Sequence, residues 1–260
     1  MIIKEITKNE KTDYVLCSID KSDVKNGIVV IPNGITKIGD RVFKGKSLHR
    51  VFIPNSVEEI GYESFAFSKI SAPLQLPQNL KKIGNDCFSG SNIIKLSLPK
   101  NLEFLGSGAF SHCPYLKVIS LGDSLKTIQQ NTFYNCSRLE EVAFPSTLEV
   151  IKNSAFADCI VLNNIRLPQT LKQIEYGAFM NCFSLEAVSI PKSTKSIEDF
   201  AFCYCRSLKE VVLPLSLNFR RDAFFHSNKV EFFYKLDDGT TIYTKKQIRS
   251  LQTKEKDKDL

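Results

Sequence analysis

The clearest pattern in this chain is a set of apolar residues that recurs every 22 or 23 residues. In each copy a variable residue stands between two apolar residues, one on each side. A proline or, once, a glycine follows. This alternation predicts a short β-strand with one buried face. Because proline has no amide hydrogen to donate, we expect it to end each strand. The proline column is Pro32, Pro54, Pro77, Pro99, Gly122, Pro145, Pro168, Pro191 and Pro214.

The second half of each copy predicts a buried aromatic residue. Phenylalanine stands eleven positions after the proline column in all nine copies, often behind a small residue such as Ala178. Leucine or isoleucine stands at position six in the first eight copies, whereas the ninth has Arg220. Glycine at position seven of the first four copies, from Gly39 to Gly106, predicts a tight bend. The phenylalanine column is Phe43, Phe65, Phe88, Phe110, Phe133, Phe156, Phe179, Phe202 and Phe225.

A repeat of this length predicts a solenoid. One unit cannot bury its own apolar side, so the nine units are expected to stack. Their strands would form a parallel sheet with ~4.8 Å between neighbours, and the phenylalanines would form an aromatic spine in the core. Pro73 falls inside the expected strand between the second and third copies, so we expect a distortion there.

The repeated unit can be written L-x-x-V-x-L-P-x-x-L-x-x-I-x-x-x-A-F-x-x-C-x-x-L. It resembles the BspA-like, or treponemal, class of leucine-rich repeats over roughly residues 29–230. The resemblance implies a mainly β fold, a right-handed solenoid with a parallel sheet on its concave face. Irregular segments or short strands would lie on the convex side. Members of this class are typically binding proteins, often bacterial or protist surface proteins that engage host or matrix proteins.

The two ends of the chain suggest caps for the solenoid. Residues 1–28 would form an N-terminal cap with a strand at YVLCSID, and residues 29–230 the repeats. Residues 231–260 would form a C-terminal cap, a hairpin turning at Asp237–Gly239, then a short helix KKQIRSL and a fraying, charged tail. Arg220 and Arg221 break the pattern as expected of a terminal repeat.

Five of the eight cysteines stand fourteen positions after the proline column: Cys113, Cys136, Cys159, Cys182 and Cys205. By resemblance to the asparagine or cysteine ladders of leucine-rich repeats, we expect these thiols to bond backbone groups between turns. Stacked neighbours would also lie within reach of a disulfide. Five equivalent thiols in one line favour reduced, structural cysteines, with oxidised pairs and a metal or redox role as alternatives.

Composition and charge narrow the possible functions. Hydrophobic residues make up 43% and charged residues 24% of the chain, as in ordinary globular proteins. The net charge of +7 shows no dense basic cluster of the kind that binds nucleic acid, and no apolar run is long enough to span a membrane. The N-terminus lacks a secretory signal, so a cytoplasmic location is expected; the alternative is a secreted or surface protein whose leader has been removed.

Candidate catalytic and metal-binding residues all have a simpler explanation. His49, His112 and His226 stand at different repeat positions, and His112 beside Cys113 occupies a place where other copies have polar turn residues. Cys203 and Cys205 form a C-x-C pair without a second pair at zinc spacing. We therefore predict no catalytic residue, no metal and no cofactor.

Binding residues are expected on the exposed side of the strands, at two and four positions before the proline column. These two columns vary in chemistry while the core columns do not, which predicts a non-enzymatic protein-binding module. We expect an intracellular scaffold or recognition protein, with a surface adhesin as the alternative; partner and oligomeric state are not indicated. Among them we expect Arg50, Phe52 and Lys95 to form a basic and aromatic patch. The candidate binding residues are Arg50, Phe52, Lys95, Glu141, Asn164, Arg166 and Glu210.

Overall fold

The computed structural model describes residues 1–8, 11–215, 217, 219, 221–235 and 242–244. Within these ranges the regular elements are short β-strands, numbered here β1 to β21 in chain order, and two 3₁₀ turns at Lys21–Asp23 and Arg221–Phe224. The described ranges contain no α-helix. The strands stack in parallel into a β-solenoid of about nine turns, each ~23 residues long, which confirms the predicted fold class.

The strand that precedes the proline column forms what we call the front sheet. In β6, β10, β14 and β17 the middle residue is buried and both flanking residues are exposed, as the alternation predicts. Neighbouring strands pair in register, so residues one repeat apart lie side by side. The front strands are β3 (Ile28–Val30), β6 (Arg50–Phe52), β10 (Lys95–Ser97), β12 (Val118–Ser120), β14 (Glu141–Ala143), β17 (Ala187–Ser189) and β19 (Glu210–Pro214).

The front sheet is interrupted at two turns. No strand forms around Pro73, as expected, because Pro73 cannot donate a main-chain hydrogen bond to the preceding turn. The second break, at residues 163–167, was not predicted; there only Asn164 makes an isolated bridge, to Ala187 in the following turn. The front sheet is therefore divided into three separate groups of strands rather than one continuous sheet.

A second set of two-residue strands, here the rear sheet, contains the isoleucine or leucine at position six. Rear strands pair in parallel and in register in two groups, β4 to β11 and β13 to β18, with no strand pairing between β11 and β13, both of which are fully described. The rear strands are β4 (Lys37–Ile38), β7 (Glu59–Ile60), β9 (Lys82–Ile83), β11 (Phe104–Leu105), β13 (Thr127–Ile128), β15 (Val150–Ile151), β16 (Gln173–Ile174) and β18 (Ser196–Ile197). A third, smaller pairing joins β5 (Ser47–Leu48) to β8 (Lys69–Ile70).

The glycines after the rear strands serve a different purpose from the predicted bend. Gly39, Gly61, Gly84 and Gly106 do not adopt positive φ angles. A Cβ on Gly84 would lie 2.7 Å from the carbonyl carbon of Gly61, too close for any side chain. Glycine is therefore required here because successive turns approach each other closely, and the bend prediction was wrong in its reason.

The phenylalanine column forms the predicted spine. Successive rings from Phe43 to Phe202 stack face to face, with centroids 4.6 to 5.5 Å apart. In the ninth turn the stacked ring is Phe224, 5.2 Å from Phe202, and not the predicted Phe225. Phe224 is 7% exposed and Phe225 46% exposed.

This correction has a simple cause, because the ninth turn is one residue shorter in its first half. Phe219 bridges to Ile197 and therefore takes the place that the sequence pattern assigned to Arg220, which lies outside the described residues. Every later position shifts by one. In the same turn β19 continues through Pro214, against the expectation that proline ends the strand. Pro214 lies opposite Lys235 in the neighbouring strand. Because alternate residues of a parallel strand bond to opposite neighbours, the amide that proline lacks would point away from β20.

Hairpins lie at both ends of the described solenoid. At the N-terminus β1 (Ile2–Lys8) pairs antiparallel with β2 (Lys11–Ser18), and β2 continues the rear sheet by pairing with β4. At the other end β20 (Glu231–Lys235) pairs parallel with β19, and β21 (Ile242–Thr244) pairs antiparallel with β20. The expected turn at Asp237–Gly239, the helix KKQIRSL and the tail lie outside the described residues.

Candidate protein-binding surface

All seven predicted binding residues are exposed on the front of the solenoid. Each stands two or four positions before the proline column, next to a buried apolar residue that packs into the core. Because the buried neighbours are fixed by the packed turns, the exposed side chains project from a regular frame. The structure divides the seven into separate groups, since the two breaks interrupt the frame.

The first group is a cation–aromatic pair in β6. The guanidinium carbon of Arg50 lies 5.6 Å from the centre of the Phe52 ring, and Phe52 is 47% exposed. Exposed arginine and aromatic side chains are frequent anchors of protein interfaces. Lys95 was expected to join this patch, but the interrupted turn around Pro73 lies between its strand and β6. Lys95 lines a cleft next to that turn instead.

The second group surrounds the unpredicted break. Glu141, Asn164 and Arg166 line one cleft of about 720 Å³ between β14 and residues 163–167. The cleft is also lined by Phe144 and Asn163, which the sequence analysis did not select. One sequence signal could have identified Phe144, because it is the only aromatic residue directly before the proline column.

Glu210 stands apart from both groups. It lies exposed in β19, opposite Glu231 of β20 in a parallel pair. Two like charges side by side on neighbouring strands repel each other modestly.

The five ladder cysteines hydrogen-bond to the main chain of another turn. Each thiol donates a hydrogen bond to the main-chain carbonyl of a spine phenylalanine, from Cys113 to Phe88 (3.1 Å) through Cys205 to Phe179 (3.2 Å). In the ninth turn the hydroxyl of Ser227 makes the equivalent bond to Phe202 at 2.7 Å. Ser227 falls one position out of the predicted cysteine column because the ninth turn is one residue shorter.

Four of the five ladder thiols are poorly suited to chemistry. All five are fully buried, and all eight cysteines of the chain are free. Burial raises the pKa of the Cys136, Cys159 and Cys182 thiols well above the ordinary value, and the pKa of Cys205 to about 12. A thiol that stays protonated is a weak nucleophile and metal ligand. Burial also disfavours the Cys113 thiolate, but hydrogen bonds with Cys136 and Ser91 lower the pKa of Cys113. The described residues include no group of three or more histidine, cysteine or acidic side chains that could hold a metal ion.

His112 and Cys113 do not form a dyad. The Cys113 thiol points into the core toward Phe88, whereas the exposed His112 ring accepts a hydrogen bond at Nδ1 from the Asn135 amide at 3.0 Å. His112 adopts a left-handed conformation with φ of 57°, as Asn135, Asp158 and Asn181 do at the same place in later turns. This agreement confirms that His112 occupies an ordinary turn position.

Comparison with known proteins supports the repeat assignment. A model of the BspA type leucine rich repeat region matches residues 21–140 and 126–247, with six copies. A leucine-rich repeat protein from Bacteroides ovatus is 26% identical, with a TM-score of 0.73 over 88% of this chain and 61% of that protein. This chain therefore spans about three fifths of that protein's length. Curated protein sequences gave no match.

Two more distant structures show the same fold. A leucine-rich repeat protein from Eubacterium ventriosum is 24% identical over 73% of this chain and 46% of its own, with a TM-score of 0.53. The pneumococcal vaccine antigen PcpA is 18% identical over 90% of this chain and 82% of its own, with a TM-score of 0.54. At these identities the likeness concerns the fold alone.

Leucine-rich repeat folds are generally non-enzymatic interaction modules, found in protein-binding or surface proteins. Within the described part of the chain, no helix is long and apolar enough to cross a membrane. The family model covers well over half of the chain, and the stacked turns, phenylalanine spine and thiol ladder account for its pattern residue by residue. The protein belongs to the BspA type leucine-rich repeat family.

Proposed function

We propose that this protein is a non-enzymatic binding module that recognises another protein through the exposed residues of the front sheet. The observation that carries the proposal is the alternation along each front strand. The buried middle residue is apolar in every turn, whereas the flanking exposed residues change in charge and size from turn to turn. Variable side chains on a regular frame suit recognition of a specific partner surface.

The packed core favours this use of the surface. The stacked rings and the carbonyl-bonded thiols connect each turn to its neighbours throughout the interior. A preformed surface needs little additional ordering when a partner binds, so less of the interaction free energy is lost. Among the exposed groups, Arg50 and Phe52 have the residue types most often found at the centre of interfaces.

Charge reversal on the front sheet tests the proposal. Wild-type protein and an Arg50→Glu, Lys95→Glu variant are immobilised, and the proteins that each retains from a cell extract are quantified. The matched control carries Lys126→Glu and Lys195→Glu, two exposed lysines next to the rear strands. We expect at least one partner to be retained by the wild type and the control and to be reduced about tenfold or more by the front-sheet variant. Retention of every partner by the front-sheet variant would move binding to another surface.

We further propose that the protein acts as a scaffold or recognition protein in the cytoplasm. The support is that eight cysteines are free, which reducing compartments favour. A cell-surface adhesin is the alternative. Labelling of amines on intact cells with an impermeant reagent separates the two, together with a count of free thiols in the denatured native protein. The cytoplasmic proposal expects no labelling and eight thiols; labelling of intact cells would contradict it.

A further inference from the structure

The break at residues 163–167 leaves a strand edge without partners. In the intact parts of the front sheet, residues one, three and five positions before the proline column bond to the following turn. The Leu121 amide donates to the Ala143 carbonyl at 3.1 Å, and the Ile190 amide donates to the Val212 carbonyl at 2.8 Å. Residues two and four positions before the column bond to the preceding turn, as the alternation of a parallel ladder requires.

The same alternation directs the groups of β14. Its outer residues Glu141 and Ala143 bond to the preceding turn, since the Glu141 amide donates to Lys117 and the Ala143 carbonyl accepts from Leu121. The amide and carbonyl of Val142 and the amide of Phe144 therefore face residues 163–167. No hydrogen bond joins residues 140–144 to residues 163–167, both of which are fully described. A row of unpaired strand groups is a template for another strand.

The opening is confined to the front of the solenoid. Behind it the spine is undisturbed, with Phe156 lying 5.1 Å from Phe133 and 5.2 Å from Phe179, and the rear strands β15 and β16 remain paired. Phe144 packs edge-on against Phe156 with centroids 5.6 Å apart, where every other turn has leucine or isoleucine. The larger ring thus lies beside the cleft that it lines.

We propose that this cleft binds an extended peptide segment of a partner protein, which adds as a strand to the free edge of β14. The proposal rests on the front sheet being the binding surface and specifies how one part of it binds. The volume of the cleft, about 720 Å³, lies within the usual range of ligand sites. Strand addition to an exposed sheet edge is an established way of binding extended peptides, with affinity from main-chain hydrogen bonds.

The charges at the cleft predict which peptide fits. Glu141 and Arg166 are exposed on opposite sides, and neither forms an ion pair among the described residues. Glu141 stands four positions before its column proline and Arg166 two positions before its own. Two side chains of an added parallel strand, separated by one residue, would therefore lie beside Glu141 and Arg166 respectively. A basic residue would face Glu141 and an acidic residue, two positions later, would face Arg166. The residue between them would point inward over Val142, which favours an apolar side chain.

The gap at Pro73 makes a useful contrast. Its cleft is lined by Pro54 and Pro77 as well as by Lys95. Such column prolines follow the strands at both breaks, but the turn at this second cleft also contains Pro73, which has no amide to donate toward the preceding turn, so it is a poorer template for an added strand.

The test uses a labelled twelve-residue peptide with a central Lys-Val-Glu, titrated with the purified protein by fluorescence anisotropy. Two further peptides carry N-methyl groups on alternate residues, so that one lacks the main-chain donors of one strand edge and the other lacks those of the opposite edge. We expect N-methylation on one of the two edges to weaken binding about tenfold or more, because an added strand depends on those donors. In the unmodified protein, the peptide should also slow hydrogen exchange of the Val142 and Phe144 amides.

Charge exchange tests the predicted orientation. An Arg166→Glu variant should bind the peptide about tenfold more weakly, and a peptide with central Lys-Val-Lys should restore its binding. The matched control is Ser189→Glu, an exposed front position where the sheet is paired, which should bind like the wild type.

Several results would overturn the inference: no peptide binding, equal binding of both N-methylated forms, or an equal loss in the Ser189→Glu control. None of them bears on the Arg50 and Lys95 reversal, which reports on the proposed function separately. If that reversal removes partners while the peptide fails to bind, only strand addition at this cleft is excluded.

Discussion

The thiol ladder makes the stability of the solenoid depend on alkaline pH. We test this dependence by replacing four of the ladder residues with serine: Cys136, Cys159, Cys182 and Cys205. Serine can still donate to the phenylalanine carbonyl, as Ser227 does at 2.7 Å in the ninth turn, but its hydroxyl does not titrate in this pH range. The substitution therefore preserves the hydrogen bonds and removes the ionisable groups.

The magnitude follows from proton linkage. An exposed thiol in the unfolded chain has a pKa of about 8.5, whereas burial raises the pKa of these four thiols, that of Cys205 to about 12. The folded protein thus keeps protons that the unfolded chain releases. The stabilisation is fully present below about pH 8.5 and is lost as the pH rises toward the folded-state pKa. Each thiol lowers the free energy of unfolding by slightly more than about 1 kcal/mol between pH 9 and 10, and four lower it by about 5 kcal/mol.

Urea unfolding followed by circular dichroism at pH 8, 9 and 10 measures this dependence. The wild type should lose about 5 kcal/mol more than the four-serine variant between pH 9 and 10, and single variants should each remove about a quarter of that difference. Ser227→Ala, which removes the equivalent hydrogen bond but no ionisable group, is the control and should unfold with the wild-type dependence on pH. If the four-serine variant loses stability as steeply as the wild type, the buried thiols do not cause the alkaline loss. Lysines and tyrosines common to both proteins would then account for it.

Three further predictions concern packing, and all are measured as free energies of unfolding in urea. Ser64→Ala should stabilise the protein by about 1 kcal/mol, because the buried Ser64 hydroxyl has no hydrogen-bond partner. In contrast, Thr132→Ala at the same repeat position should destabilise it by about 1 kcal/mol, because that hydroxyl donates to Gln129 at 2.7 Å. Phe224→Ala should cost about 3 kcal/mol and the exposed neighbour Phe225→Ala about 1 kcal/mol or less; equal costs would contradict the shifted ninth turn. Gly84→Ala should cost about 2 kcal/mol or more, because its Cβ would collide with the preceding turn, and a neutral result would show that the turns can separate.

The sequence was sufficient to predict the buried columns, since each column is repeated in independent copies. Phe179 and Cys182 could be assigned to the core from their spacing alone, because a residue that recurs at every turn must fill the same place. Ser227 and Phe224 were missed because one residue is absent from the ninth turn, and a count from Pro214 cannot detect where a shortening occurs. Local spacing gives no information about which of two adjacent phenylalanines meets the ring below.

The candidate surface was less predictable, for a different physical reason. Exposure of Arg50 or Arg166 follows from strand alternation, but the distance between side chains on different turns depends on whether those turns are paired. Lys95 was expected beside Arg50, yet the unpaired turn at Pro73 lies between them. One cleft brings together Glu141, Asn164 and Arg166. It lies at the break beside Phe144, which the spacing of these three residues does not indicate.

The two breaks of the front sheet differ in what they leave behind. Pro73 interrupts the sheet by removing a main-chain donor, so its turn has lost part of its capacity to pair. Phe144 accompanies a break in which every donor and acceptor is still present, and Val142 keeps both an amide and a carbonyl directed at the cleft. Unpaired main-chain groups beside a cleft can be satisfied by water or by another strand, and only the strand gives selectivity. A break that keeps its main-chain donors and acceptors therefore suits the proposed addition of a strand, whereas a proline in a strand column removes one of the donors that such a strand would need.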